Sequence, residues 1–142
     1  MKILLATLAL FLAATAAQGA ELKAPEGLSV ARKALAEAVE KKDVKAFSAM
    51  SRFPLVIDVY QMAPKIAAKR FGKADIDLMF GGGDEGVLKC LRGGAVAKND
   101  PKADDTARRF GVSWYADCDG NNYFFAEKDG RWSFIGYQNV NE

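Results

Sequence analysis

Apolar residues recur at helical spacing in the stretch that follows Pro25. They are Leu28, Ala31, Leu35, Ala38 and Val39, with charged residues on the opposite side. This pattern predicts an amphipathic helix over residues 25–42. Asp43 is a good N-terminal cap for a second helix over residues 44–52, which must end there because Pro54 disfavours helical backbone at the residue before it.

Beyond Pro54 the pattern changes from helical spacing to alternation. The next residues are rich in β-branched side chains, and prolines stand on both sides of the run, which predicts a strand over residues 55–60. Alternation divides this strand into two faces. One face carries Leu55, Ile57 and Val59, and the other carries Val56, Asp58 and Tyr60.

The middle of the chain has weaker periodicity, interrupted by glycines. Short helical segments are predicted over residues 64–71 and 74–80, and a third follows the cap residue Asp84 and ends near Gly93. Residues 97–105 are polar and predict a surface loop.

Three aromatic-rich runs close the chain, over residues 110–118, 123–126 and 132–137. The segments between them, residues 119–121 and 128–130, combine aspartate and glycine as hairpin turns do. The runs therefore predict a three-strand antiparallel meander. The fold class is α+β, with N-terminal helices packed on a curved antiparallel sheet that ends in the meander.

The meander strands carry apolar residues on both faces. Simple alternation places Trp132 and Phe134 on one face and Ile135 and Tyr137 on the other. Because we expect the helices to cover only one face, the second face must meet a partner, line a pocket or be covered by the chain ends. A homodimer formed through the sheet is one such arrangement.

The N-terminal segment has the order of a secretory signal. Lys2 precedes a largely apolar run over residues 3–17, and small residues lead to Ala20. We therefore expect residues 1–20 to be a signal peptide cleaved between positions 16 and 20, and residues 21–142 to form one domain. The mature protein is then periplasmic or secreted and keeps no membrane anchor.

Charge, cysteine and histidine content narrow the classes of function. The chain has 20 basic and 18 acidic residues, so its net charge of +2 falls to +1 when Lys2 leaves with the signal, and nucleic acid is not an expected partner. An even pair, Cys90 and Cys118, predicts a disulfide in an oxidising compartment, the alternative being two separate buried thiols. The chain has no histidine, which removes the commonest general base and the commonest metal ligand. Neither a metal site nor a cofactor is expected.

The order of elements resembles the nuclear-transport-factor-two-like superfamily, the cystatin-like α+β roll. The resemblance is carried by residues 34–47, by the Phe53-Pro54 step with the strand that follows, and by the closing segment over residues 130–136. It implies a sheet wrapped around the long helix so as to leave a conical pocket. Members include isomerases, dehydratases, accessory subunits and exported proteins without known activity, so the resemblance implies a fold more than a function.

Two pairs of residues are candidates for catalysis in such a pocket. Asp58 with Tyr60, and Tyr115 with Asp117, are each two apart on predicted strands and so share a face. A buried carboxylate beside a tyrosine could do acid–base work on a carbonyl compound, as the resemblance to ketosteroid isomerases implies. The alternative is that these are solvent-facing positions near strand ends.

Aromatic residues are the candidates for lining a pocket, namely Trp114, Phe125, Trp132 and Phe134, although aromatics also fill cores. The leading hypothesis is an exported, non-enzymatic domain that binds a small apolar ligand or an envelope protein. The second is a cofactor-free isomerase or dehydratase. The third is an envelope inhibitor or immunity-type protein that presents the rigid loop over residues 97–105.

Overall fold

Helices lead and strands close the part of the chain described by the computed structural model, residues 23–59 and 64–141. The helices are α1 (Glu26–Glu40), α2 (Val44–Ala49), α3 (Lys73–Phe80), α4 (Glu85–Gly93) and α5 (Asp105–Phe110), with one 3₁₀ turn at Ala68–Arg70. The strands are β1 (Ser51–Asp58), β2 (Lys65–Ile66), β3 (Val96–Lys98), β4 (Trp114–Cys118), β5 (Asn121–Lys128) and β6 (Arg131–Asn139). The predicted signal peptide and Tyr60 lie outside the described residues.

The six strands form one open, mixed sheet in the order β2-β1-β6-β5-β4-β3. Strands β4, β5 and β6 are antiparallel neighbours, so the predicted meander is confirmed, and β1 pairs in parallel with β6. Both meander turns are two-residue turns, Asp119-Gly120 and Asp129-Gly130, and all four turn residues have positive φ, as type I′ hairpins require. The α+β class is confirmed.

Capping aspartates mark where the predicted helices begin. The Asp43 side chain accepts a hydrogen bond from the Ala46 amide at 3.0 Å, and Asp84 caps α4 in the same way. Helix α2 ends at Ala49, however, and Ser51 already belongs to β1. The prediction of a helix to residue 52 was therefore wrong at its end, since strand pairing with β6 begins at Ser51.

The segment over residues 97–118 differs most from the sequence prediction. The polar loop contains the end of strand β3 and the start of helix α5, and Phe110 ends that helix instead of starting a strand. Asp104 caps α5 by accepting from the Ala107 amide at 2.7 Å. Asp105, Arg108 and Arg109 form the solvated side of α5, which has too few turns to display helical periodicity.

One side of the sheet, which we call the core face, packs against the helices. Its large aromatic side chains are fully buried together with those of α2 and α3; they are Phe47, Phe80, Tyr123, Phe125 and Phe134. The rings of Phe80 and Tyr123 stack with centroids 4.7 Å apart, and the Tyr123 hydroxyl donates to the Met79 carbonyl at 2.6 Å. Desolvation raises the pKa of Tyr123 far above its ordinary value.

A β-bulge in β6 changes which residues share a face. Phe134 pairs with Phe125 and Tyr137 pairs with Tyr123, with one extra β6 residue between the two pairs. Phe134 and Tyr137 therefore both face the core. The prediction that Tyr137 lies opposite Phe134 was wrong, because simple alternation does not count the extra residue.

A disulfide joins Cys90 of α4 to Cys118 of β4, as the sequence predicted. Arg32 of α1 holds the same helix from the other side, since its guanidinium donates to the carbonyls of Cys90 at 2.8 Å and Gly94 at 2.7 Å. These carbonyls lie at the C-terminal end of α4, where the helix dipole favours a positive charge. Burial of the Arg32 guanidinium acts in the opposite direction and lowers its pKa. Helix α4 is thus fixed both to the sheet and to α1.

Candidate functional site

The side of the sheet opposite the core face, which we call the outer face, carries a row of polar side chains. Strand register aligns Asp58 of β1 with Gln138 of β6, and Gln138 in turn with Asn122 of β5. Asp117 of β4 continues the row. Alternation puts the neighbouring row, which includes Phe124, on this face as well.

Three members of this row form a continuous hydrogen-bonded series, which we call the amide chain: Asp58, Gln138 and Asn122. The Asn122 amide nitrogen donates to Gln138 Oε1, and the Gln138 amide nitrogen donates to Asp58 Oδ2, both at 3.2 Å. Asp58 is buried, and its other oxygen lies 3.8 Å from the Arg109 guanidinium. The carboxylate therefore lies at one end of the chain and the Asn122 carbonyl at the other.

Helix α5 covers part of the outer face. The Phe110 ring stacks on Phe124 with centroids 3.7 Å apart, and Gly136 lies beneath Phe110, where a Cβ would meet that ring and the Val56 carbonyl. The expectation that helices cover only one face was therefore wrong. The physical reason is that the chain forms α5 between β3 and β4, and this helix folds back over the outer face. A homodimer through this face stays a prediction.

A buried asparagine fixes α5 to the sheet. Asn99 donates from its side-chain nitrogen to the carbonyls of Ala107, at 2.8 Å, and Gly111, at 2.7 Å. Its own backbone amide donates to the Ser113 carbonyl at 2.9 Å. Asn99 thus satisfies backbone groups at the end of the helix that would otherwise lack partners.

A cavity of about 300 Å³ lies between α5, with the turn before it, and the outer face. Asn122, Phe124 and Gln138 form its floor, and the Tyr115 side chain adds to its wall. Eight of the twelve residues that line it have polar side chains. The cavity therefore suits a small polar molecule, at the lower end of the roughly 300–1,000 Å³ of ordinary ligand sites.

Asn122 is the distinctive residue of this cavity. Only 9% of its surface is exposed, and its Oδ1 is shielded from solvent without a hydrogen-bond partner among the described residues. An unsatisfied buried carbonyl costs about 1–3 kcal/mol of stability. The hydrogen bond that its amide nitrogen donates to Gln138 contributes about 1 kcal/mol and does not exceed this cost, so stability alone does not account for asparagine here.

The sequence-predicted catalytic residues do not converge. Asp58 and Tyr115 both lie on the outer face, but β6 and β5 lie between the strands that carry them. At the usual strand spacing, the backbones of β1 and β4 are roughly 14 Å apart. Asp117 is exposed and accepts from the Gly120 amide in the hairpin turn at 3.1 Å. Tyr60 lies outside the described residues. No acid–base pair forms among the three described candidates.

The four aromatic pocket candidates separate into two groups. Phe125 and Phe134 are each 1% exposed and pack inside the core. Trp114 and Trp132 are half-buried and line a second cavity of about 390 Å³ beside Pro25. The structure thus brings the two tryptophans together and leaves the two phenylalanines in the core.

The sequence pattern did not identify Asn122 and Gln138 as site residues. In the sequence, Asn122 comes soon after Asp119-Gly120 and resembles a turn residue. In the structure the turn has only two residues, so Asn121 already begins β5 and Asn122 lies on the outer face. The hairpin signal itself contained this information, since a type I′ turn at Asp119-Gly120 fixes the register of β5.

Comparisons of this chain with protein-family models, with curated proteins and with solved structures found no match. The functional assignment therefore depends on the geometry of the outer face. Among the described residues, no helix is long and apolar enough to cross a membrane.

Proposed function

We propose that this protein is an exported, non-enzymatic binding protein that holds a small polar ligand in the outer-face cavity. The observation that carries the proposal is Asn122, a buried polar residue with an unsatisfied carbonyl in the floor of a cavity. Buried polar groups without partners are rare in folded proteins, and each needs a reason. Ligand recognition supplies one, because the second N–H of the Asn122 amide can donate to a ligand in the cavity, and an apolar side chain of similar size could not.

The polar lining favours a polar ligand over the apolar ligand expected from the sequence. An apolar molecule would remove Lys98, Asp100 and Tyr115 from water without replacing their hydrogen bonds, which is unfavourable. The aromatic residues expected to hold an apolar ligand are divided between the core and a separate cavity.

Binding without chemistry is favoured because the described catalytic candidates lie apart. General acid–base catalysis requires groups within hydrogen-bond reach of one reacting molecule. Asp58 is already paired with Gln138 and Arg109. Tyr115 lies on β4, the third strand from the β1 strand that carries Asp58. A ligand in the cavity would meet the floor amides, with the Asp58 carboxylate behind them.

Export to the periplasm or beyond is part of the proposal. The disulfide between Cys90 and Cys118 supports an oxidising compartment, since such bonds seldom persist in the cytosol. The charged, apolar and small-residue order of the first 20 residues supports a signal peptide. The succession of helices followed by a sheet with a terminal meander supports the proposed membership of the nuclear-transport-factor-two-like superfamily.

The test uses small probes that share one ring and differ in polarity. Labelled protein is titrated with cyclohexanone, cyclohexylamine and methylenecyclohexane, and binding is followed by ¹H–¹⁵N chemical shifts. The proposal predicts saturable shifts centred on Tyr115, Asn122 and Gln138 with at least one polar probe. Their loss in Asn122→Leu, but not in Asn139→Leu, supports it. Shifts confined to Trp114 and Trp132, or none with any probe, contradict it.

A further inference from the structure

We propose that Asp58 is a positioning residue that orients the amide chain so that the cavity floor offers N–H groups, and that the ligand binds there through a neutral acceptor oxygen. This inference rests on the proposed function. It adds the chemical class of the ligand, a small carbonyl compound. It also assigns the preference for an acceptor ligand to Asp58, a residue that does not line the cavity.

The direction of the amide chain follows from the chemistry of its first member. An ionised carboxylate only accepts hydrogen bonds, so the group that Gln138 turns towards Asp58 must be its NH₂. The Gln138 oxygen then faces Asn122, which must donate to it from its own NH₂ group. An amide at position 58 would not impose this order, because an amide both donates and accepts.

What each amide can still offer follows from that order. A carboxamide has two N–H donors and one carbonyl. In the described part of the chain, Gln138 and Asn122 each use one N–H within the chain, the Gln138 oxygen accepts from Asn122, and the Asn122 oxygen is shielded from solvent. The remaining donors are one N–H on each residue. The Gln138 oxygen keeps one lone pair, so the two free N–H donors outnumber the free acceptor positions, and the floor favours a ligand that contributes an acceptor.

The charges around the cavity select among acceptors. Lys98 is the one cation in the lining, against the carboxylates of Asp100 and Asp104, so the lining has a net charge of −1. Both carboxylates also accept a backbone N–H, from Lys102 at 2.9 Å and Ala107 at 2.7 Å, which holds them in place. An anionic acceptor would meet like charge there, which disfavours it relative to a neutral carbonyl.

The first measurement compares cyclohexanone with methylenecyclohexane, which has the same shape but a CH₂ group in place of the acceptor oxygen. We expect the ketone to bind the native protein about three- to tenfold more tightly, the equivalent of one ordinary hydrogen bond. Cyclohexylamine, a cationic donor, is attracted by the carboxylates of Asp100 and Asp104 and should shift their signals, but it should shift Asn122 and Gln138 less than the ketone does. If the amine shifts Asn122 and Gln138 at lower concentration than the ketone, the acceptor assignment is overturned although the cavity remains a binding site.

The second measurement isolates the role of Asp58 in this preference. In Asp58→Asn both chain directions become available, and the preference for the ketone over its isostere should fall below about twofold. Gln138→Met, which breaks the chain without a change of charge, should do the same. Arg109→Gln keeps the carboxylate and should keep the preference. An unchanged preference in both Asp58→Asn and Gln138→Met overturns the positioning role, whereas the absence of binding by every probe overturns the proposed function itself.

Discussion

The core face and the outer face are built on the same strands and differ in how their polar groups are satisfied. On the core face the largest polar side chain, Tyr123, is fully buried and its hydroxyl donates to a backbone carbonyl. On the outer face Asn122 is almost as buried, yet its carbonyl has no partner among the described residues. Tyr123 thus follows the rule that buried polar groups are paired, and Asn122 departs from it, as does the Nε of Arg32 in α1.

This difference locates the feature that stability does not explain. Side chains of the core face interlock, and Phe134 contacts Phe47, Phe80 and Phe125 with ring centroids between 5.4 and 5.9 Å. The outer face instead has a cavity over its polar row. The core-face residues are therefore expected to govern folding, and the outer-face polar residues to govern binding.

The largest expected effect is on the core face. Phe134→Ala should lower the free energy of unfolding by about 3–5 kcal/mol, because closely packed rings cannot close the space that remains. Phe124→Ala, on the outer face, should lower it by only about 2 kcal/mol, since α5 is a short element that can settle into the gap. Urea denaturation of both variants checks the order, and an equal or larger loss for Phe124→Ala contradicts it.

Loss of the disulfide should have the next largest effect. The bond closes a segment of 28 residues, so the Cys90→Ala, Cys118→Ala double variant should lose about 3.5 kcal/mol in the chain-entropy model. Because neither cysteine lines the outer-face cavity, probe binding should survive wherever the variant remains folded. Binding that disappears while the fold persists would show that the two regions are coupled.

Asn99→Ala should have an intermediate effect. The substitution removes two hydrogen bonds to backbone carbonyls at the end of α5, and each contributes about 1 kcal/mol, so the expected loss is about 2 kcal/mol. Hydrogen exchange should show that α5 opens before the rest of the molecule. Protection of α5 that matches the native protein would mean that Asn99 is not what holds the helix.

Asn122→Leu should have the smallest effect on stability, and of opposite sign. Removal of the unsatisfied carbonyl should gain about 1–3 kcal/mol, and loss of the hydrogen bond to Gln138 should cost about 1 kcal/mol. The free energy of unfolding should therefore stay unchanged or rise by up to about 1 kcal/mol, with loss of probe binding. The contrast with Asn99→Ala is the informative quantity, because both asparagines are buried beside the same cavity. A loss of 2 kcal/mol or more in Asn122→Leu would assign Asn122 a structural role.

Local sequence signals predicted those elements whose pattern is long or strongly punctuated. Helix α1 displays its apolar stripe over four turns, and Asp84 and the glycines near Gly93 mark the two ends of α4. The Asp-Gly turns identified the hairpins. Helix α5 and strand β3 were missed because each is too short to show a period, and α5 is held by a side chain outside the helix, that of Asn99.

The candidate site was predictable only in part. Alternation identified Asp58 as a candidate, and the structure places it at one end of the amide chain. Its partners Gln138 and Asn122 depend on the parallel pairing of β1 with β6 and on the register of β5, which are properties of the assembled sheet. The bulge that returns Tyr137 to the core face is another such property, since no local pattern announces the extra residue.

The most direct test of the outer-face assignment is a crystal structure of the protein soaked with cyclohexanone. We predict density for the probe over Asn122 and Gln138, with its oxygen within hydrogen-bond distance of an amide nitrogen of the floor. Density only between Trp114 and Trp132, or a probe that turns its oxygen away from both amides, would contradict the assignment.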